Sequence, residues 1–230
     1  MQLRLVAALL SITGAVECQT NPSPPPDASE QQKVLTDAAE YAKIFEATLS
    51  GFECTRTTRH FQDFNNSVAH DTLRGASVSR EFASIMGSIF LPRTETEFAW
   101  QDWVTLRGKR MHVYGYRVGA FKSSYHIEAP GQSLDLVSAY HGLIFIDSDN
   151  HRVYRITLHA DEIPLSFPIQ DISLALDYDY ARIGDADYLL PLQFELRSRE
   201  GAKVIRSDVG YDNYRKFMVI ASGSPDEIEK

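Results

Sequence analysis

The chain has 230 residues, 43% of them hydrophobic and 11% aromatic, enough to bury a sizeable core in one domain or at most two. A formal net charge of -8, with no clustered excess of Lys and Arg, excludes a nucleic-acid footprint and leaves an acidic surface. No segment reaches the ~18 consecutive apolar residues that a membrane helix needs.

In chain order, "MQLRLVAALLSITGA" has an early Arg4, an apolar run from Leu5 to Ile12 and then small residues. That is the layout of a secretory signal peptide, expected over residues 1–19, with cleavage after Ala15 or Cys18. A lipid anchor at Cys18 is the lesser alternative, because Glu17 precedes it where a lipid-attachment box wants a small residue. Cys54 is the other cysteine, and a Cys18–Cys54 bridge stays open if Cys18 survives processing. Residues 20–30 are rich in Pro and Ser and read as a linker. Ser29 or Asp27 then caps a helix whose stripe is Val34, Ala38, Tyr41, Phe45 and Leu49, stopped by Gly51. "GFECTRTTRHF" reads as a strand and "QDFNNSVAHDTLRG" as a polar stretch, with a glycosylation sequon at Asn65. In "SREFASIMGSIFLP", Phe82, Ile85, Met86, Ile89 and Phe90 recur at helical spacing, which predicts a short amphipathic helix before Pro92.

The remainder alternates with a period of two. "TEFAWQDWVTL" and "KRMHVYGYRV" are separated by Arg107-Gly108, a hairpin break, and "SSYHIEA" follows. In "ISLALDYDY", Ile172, Leu174, Leu176, Tyr178 and Tyr180 share one face, with Asp177 and Asp179 on the other. In "LLPLQFELRS", Leu190, Leu192, Phe194 and Leu196 face one way. "KVIRSDVGYDNYRKFMVI" adds one or two more strands. Alternation of this kind marks antiparallel strands with one wet face, and the connections are too short for crossover helices.

Chemical motifs are sparse. Asp147, Asp149 and Asn150 in "LIFIDSDNHRVYRITL" stand as calcium ligands would, but there is no Gly at the turn and no distal Glu, so a hairpin turn accounts for them. Asp177, Asp179, Asp185 and Asp187 read as a solvated set. There is no HExxH, nucleophile elbow or phosphate loop, so no catalytic residue, metal site or cofactor is expected. His112 and His126 lie on strands, and whether they meet is open.

The order of parts—an N-terminal helix, "GFECTRTTRHF", a second helix, then strands carrying "YHGLIFIDSDNHRVYRITL", "YLLPLQFELRS" and "VGYDNYRKF"—resembles the bacterial outer-membrane lipoprotein-sorting family of LolA-, LolB- and RseB-like proteins, over residues 31–220. The resemblance implies a periplasmic, non-catalytic carrier or sensor whose half-open barrel binds lipid or lipoprotein acyl chains in a hydrophobic cavity. In such carriers a strand Arg helps to hold the lid; Arg56 and Arg59 both lie in the matching strand, and the choice between them stays open.

The expected fold is α+β: a strongly curved antiparallel sheet, with the N-terminal helix and the second amphipathic helix covering its concave face. A single domain over 31–222 precedes a disordered tail, 223–230. Candidate cavity-lining residues are Phe98, Trp100, Tyr114, Tyr116, Ile172, Leu174, Leu176, Leu192 and Phe194. Phe82, Ile85, Met86, Ile89 and Phe90 are the candidate lid. The expected partner is a lipid or lipoprotein acyl chain, with an envelope protein as a second candidate. The alternative is a structural or protein-interaction module of the cell envelope with a filled core and no ligand.

Overall fold

The computed structural model describes residues 23–62, 66–77, 80–129 and 134–216. The signal segment, Cys18, the sequon at Asn65 and the 223–230 tail lie outside them. Helix α1 spans Ala28–Leu49. Of the two candidate caps, Asp27 serves: its Oδ1 accepts the Glu30 backbone N–H at 2.8 Å. Val34, Ala38, Ala42, Phe45 and Leu49 form the buried stripe.

Strand β1 (Phe52–Gln62) pairs with β2 (Asn66–Ser77). The sequence in β2 was expected to be a polar connection. It forms the outermost strand of the sheet, where a strand has a neighbour on one side only and needs no apolar alternation to be held. Helix α2 covers Arg80–Phe90. Strands β3 (Glu97–Leu106) and β4 (Lys109–Val118) form the expected hairpin. Its two turn residues, Arg107 and Gly108, have φ of 48° and 77°, the left-handed pair that matches strand twist in a two-residue loop. β5 (His126–Ala129) and β6 (Leu134–Val137) make a separate two-stranded sheet. β7 (Ala139–Asp147), β8 (Val153–Asp161), β9 (Ile169–Ile183), β10 (Ala186–Glu200) and β11 (Lys203–Lys216) complete the chain.

The main sheet has nine strands in the order β2-β1-β11-β10-β9-β8-β7-β4-β3, with antiparallel neighbours throughout. Among the described residues no pairing joins β2 to β3, so the sheet is open at both edges. One apolar cluster unites α1, α2 and one sheet face. The molecule is thus α+β, with a large antiparallel sheet and an N-terminal helix. No described helix is long and apolar enough to cross a membrane.

The Asp147–Asn150 segment is a turn. Asp147 Oδ1 accepts the Asp149 N–H at 2.8 Å and Asn150 Oδ1 accepts the Arg152 N–H at 2.9 Å. Lys109 Nζ lies 3.2 Å from Asp147 Oδ2. These side chains are spent on their own backbone and one ammonium, the usual work of Asx residues in turns.

Two surface expectations change. Asp177, read as solvated, is 1% exposed. The period of two correctly turns it away from the helices, but Arg107 reaches across from the β3–β4 turn and covers it, with an Nη1–Oδ1 distance of 3.0 Å. Leu192, read onto the face of Leu190 and Phe194, is 38% exposed. The ladder slips between Pro191 and Gln193, and a bulge of this kind resets the alternation beyond a proline that has no N–H to give.

Candidate functional site

The helix-covered face is built from the middle of α1, from α2, and from the residues of β3, β4 and β7 beneath them. Met86 and Ile89 of α2 are completely buried. Ile85 and Phe90 are half-buried against the same cluster, and the side chain of Phe82 lies outside the described ones. Phe90 stacks on Phe98 of β3, with ring centroids 5.6 Å apart. Ser88 Oγ sits 3.3 Å from the Tyr140 hydroxyl, tying α2 to β7. Phe45 of α1 meets Tyr178 edge-on at 5.5 Å.

Most candidate lining residues meet in this cluster. Phe98 lies opposite Tyr116 and Trp100 opposite Tyr114, so two aromatic pairs cross from β3 to β4. Leu176 lies opposite Phe194, and Leu174 is buried nearby. Ile172 belongs to a different apolar cluster, with Ile127 and Phe167. Leu192 opens instead onto a hollow beside Tyr180 and Tyr214. Sequence reasoning missed Leu35, Phe45's contact with Tyr178, and Tyr140. The last was signalled only by its place in a strand, since which strand would lie under α2 is set by long-range pairing.

Between α1 and α2 runs a groove of about 440 Å³, walled by Leu35, Ala39, Ile89, Phe90, Leu91 and Phe98, with Gln32, Glu40, Lys43 and Glu95 also lining it. Further along β3 the neighbourhood turns polar. The Trp103 indole donates to Pro24 O at 2.9 Å, and its ring stands 4.2 Å from that of His112 and beneath the Arg110 guanidinium at 3.7 Å. His112 is fully buried, and its Nε2 is 3.9 Å from Glu30 Oε1, too far for a hydrogen bond. The Trp100 indole N–H, the Tyr114 hydroxyl and both His112 ring nitrogens are buried without a hydrogen-bond partner among the described residues. Burial, then the nearby His151 and Arg110, pushes His112 down to about 4, and burial pushes Tyr114 up to about 12. His126 is elsewhere, bound to Asp135 at 2.9 Å on the two-stranded sheet, so it has no part in this corner.

The opposite face is polar. A hollow of about 540 Å³ is lined by Thr57, Arg59, Arg155, Asp177, Gln193 and Glu195 among others. Asp177 accepts from Arg107, from Arg155 at 2.8 and 2.9 Å, and from Gln193 at 3.0 Å. Burial pushes its carboxyl up, and the hydrogen bonds from Arg155, Gln193 and Arg107 more than offset that, so it stays below the usual carboxylate range. Of the two arginines on β1, Arg59 lines this polar hollow and Arg56 is half-buried opposite Tyr211.

No protein-family model matches the chain, and no curated protein matches it. Among solved structures, a LolA superfamily protein from Nitrosomonas europaea matches over 81% of this chain and 93% of its own, at 11% sequence identity and a TM-score of 0.36. A superposition this loose carries no argument about function.

Proposed function

We propose that the chain is an exported, non-catalytic binder of acyl lipid. The hydrocarbon lies between α1, α2 and the sheet face they cover, and the sheet bends round it as a half-open barrel. The observation that carries this reading is the α1–α2 groove. It is apolar where Phe90 meets Phe98, and β3 leads from there to polar atoms of Trp100, Tyr114 and His112 that are buried without partners among the described residues. A long tail with a polar head fits such a sequence of surfaces, and buried polar atoms gain by receiving a partner. Each methylene transferred from water contributes ~0.8 kcal/mol, so a tail needs no shaped pocket beyond one that opens. α2 is the element that moves, since among the described side chains its hold on the sheet is the Phe90–Phe98 stack, the Ser88–Tyr140 contact and the insertion of Met86 and Ile89. Export to the periplasm and a lipid or lipoprotein acyl chain as partner complete the reading.

The test is organic extraction of the purified protein with mass spectrometry, followed by calorimetric titration with oleate. Oleate is expected to bind saturably, and Phe90→Asp and Phe98→Asp, with unchanged circular dichroism, to weaken it at least tenfold. Neither co-purified lipid nor oleate uptake, or equal affinity in both variants, would overturn the proposal. The second reading, an interaction module with a filled core, is favoured by the completeness of packing at Met86, Ile89, Tyr114 and Tyr178, all at most 1% exposed. It expects no uptake, and a partner on an open strand edge.

A further inference from the structure

On the face away from the helices, we propose a site for a divalent transition-metal ion made by His141, His159 and Asp161, with Asp171 orienting one of the ligands. The site is independent of the lipid reading, because it shares neither face nor residues with the α1–α2 groove.

His141 on β7 and His159 on β8 are direct cross-strand partners, their rings 5.3 Å apart. Asp161 follows two residues after His159 and so emerges on the same face. One donor atom from each of the three lies within 4.8 Å of the others. His141 Nδ1 is 2.9 Å from Asp161 Oδ1, and His159 Nδ1 is 3.8 Å from the same oxygen. A tetrahedral ion ~2.1 Å from each donor spaces its donors ~3.4 Å apart, a value these two distances bracket.

The decisive contact is on the far side of the His159 ring. Its Nε2 is 2.9 Å from Asp171 Oδ1, and an ionised carboxylate only accepts, so Nε2 carries the proton. A ring that binds an ion as a neutral imidazole then has its lone pair at Nδ1, whose nearest carboxylate oxygen is Asp161 Oδ1 at 3.8 Å. Two electron-rich groups facing each other, one of them held in that tautomer by a carboxylate behind it, is the arrangement by which proteins orient metal-binding imidazoles. At His141 the ion takes the place of the proton that Nδ1 shares with Asp161, and the proton the ring keeps sits on Nε2.

The donors stand on a stiff frame. Beside His141, the Leu143 N–H donates to Thr157 Oγ1 at 2.9 Å, pinning β7 to β8, and the Tyr116 hydroxyl of β4 reaches across β7 to donate to Thr157 O at 2.7 Å. The side chains of His141 and His159 are each 46% exposed, so an ion enters without unfolding anything. Two imidazoles and one carboxylate suit zinc, copper or nickel rather than the all-oxygen shells of calcium and magnesium. Three protein donors leave a coordination position open beside a hollow of about 480 Å³ that both histidines line, together with Arg197.

The test uses the untagged chain, stripped with a chelator and titrated calorimetrically with zinc. One zinc per chain is expected. His141→Ala and His159→Ala should each weaken it by roughly 100-fold, and Asp171→Asn, which removes no ligand, by about tenfold or more. His126→Ala, on the other sheet, should leave it unchanged. Circular dichroism verifies the fold, which exposed substitutions leave intact. Absence of saturable stoichiometric uptake, or uptake equal in both His→Ala variants, would overturn the site.

Discussion

An alanine at position 142 would place its Cβ 1.9 Å from the carbonyl oxygen of Thr157 and 2.7 Å from the carbonyl carbon. Both are backbone atoms of the neighbouring strand, so no side chain can swing aside and the strands themselves must part. Gly142→Ala is therefore expected to cost about 3 kcal/mol, read as a lower urea midpoint at unchanged slope. A second residue sets a pH dependence. His112 is held near 4 when folded, against an ordinary value of 6.5. Between those values the unfolded chain takes up a proton that the folded one refuses. This contribution to stability is complete above pH 6.5 and is lost as the pH falls towards 4, by up to about 1.4 kcal/mol per unit. Replacing His112 with Phe should flatten that part of the profile, measured as urea midpoints at pH 7 and pH 5. An unaltered slope would show that other groups set it.

At the scale of elements, the β3–β4 hairpin is fastened to the sheet by its own turn. Arg107 donates to Asp177 and to the carbonyls of Tyr154 and Tyr178, and lies 3.1 Å from Asp179. Asp177→Asn leaves two guanidinium groups facing a neutral amide in a largely buried position and should cost about 3 kcal/mol. The wild-type carboxyl titrates below its unfolded range. Its contribution is thus present above about pH 4 and lost as acid carries the pH down through the lower, folded value. The Asn variant should lack that acid-dependent loss, which thermal unfolding at pH 3 and pH 7 would reveal. The same contact marks where legibility stopped. The period of two shows which way Asp177 points, but not that an arginine 70 residues away arrives to cover it. Pro191 likewise stands in plain view in "LLPLQFELRS", yet only the pairing with β9 shows that the slip there turns Leu192 outward.

For the molecule as a whole, the antiparallel sheet and its two helices were readable because hydrophobic period, caps and turn residues are local signals. Asp27 and the Arg107-Gly108 pair did what their chemistry predicts; the first helix does end at Leu49, just before Gly51, but that glycine does not take the left-handed conformation of a helix-stopping cap. Strand order was not readable: β1 lies between β2 and β11, bringing residues 52 and 216 together, and no local pattern encodes that partnership. β2 was missed for the same reason, its assignment resting on a neighbour rather than on its own composition. The candidate site was legible as two aromatic strands and one amphipathic helix. The buried polar corner at His112 and the paired histidines of β7 and β8 became visible only once register was known.

The chain has just two tryptophans, and both sit on β3, next to the elements that cover it. Trp103 is bonded to the backbone just ahead of α1, and Trp100 is packed into the cluster that contains α2. Light absorbed at 295 nm is therefore reported from this one corner. A shift of indole emission to longer wavelength would register the helices lifting away, a spectroscopic gauge of opening that requires no label.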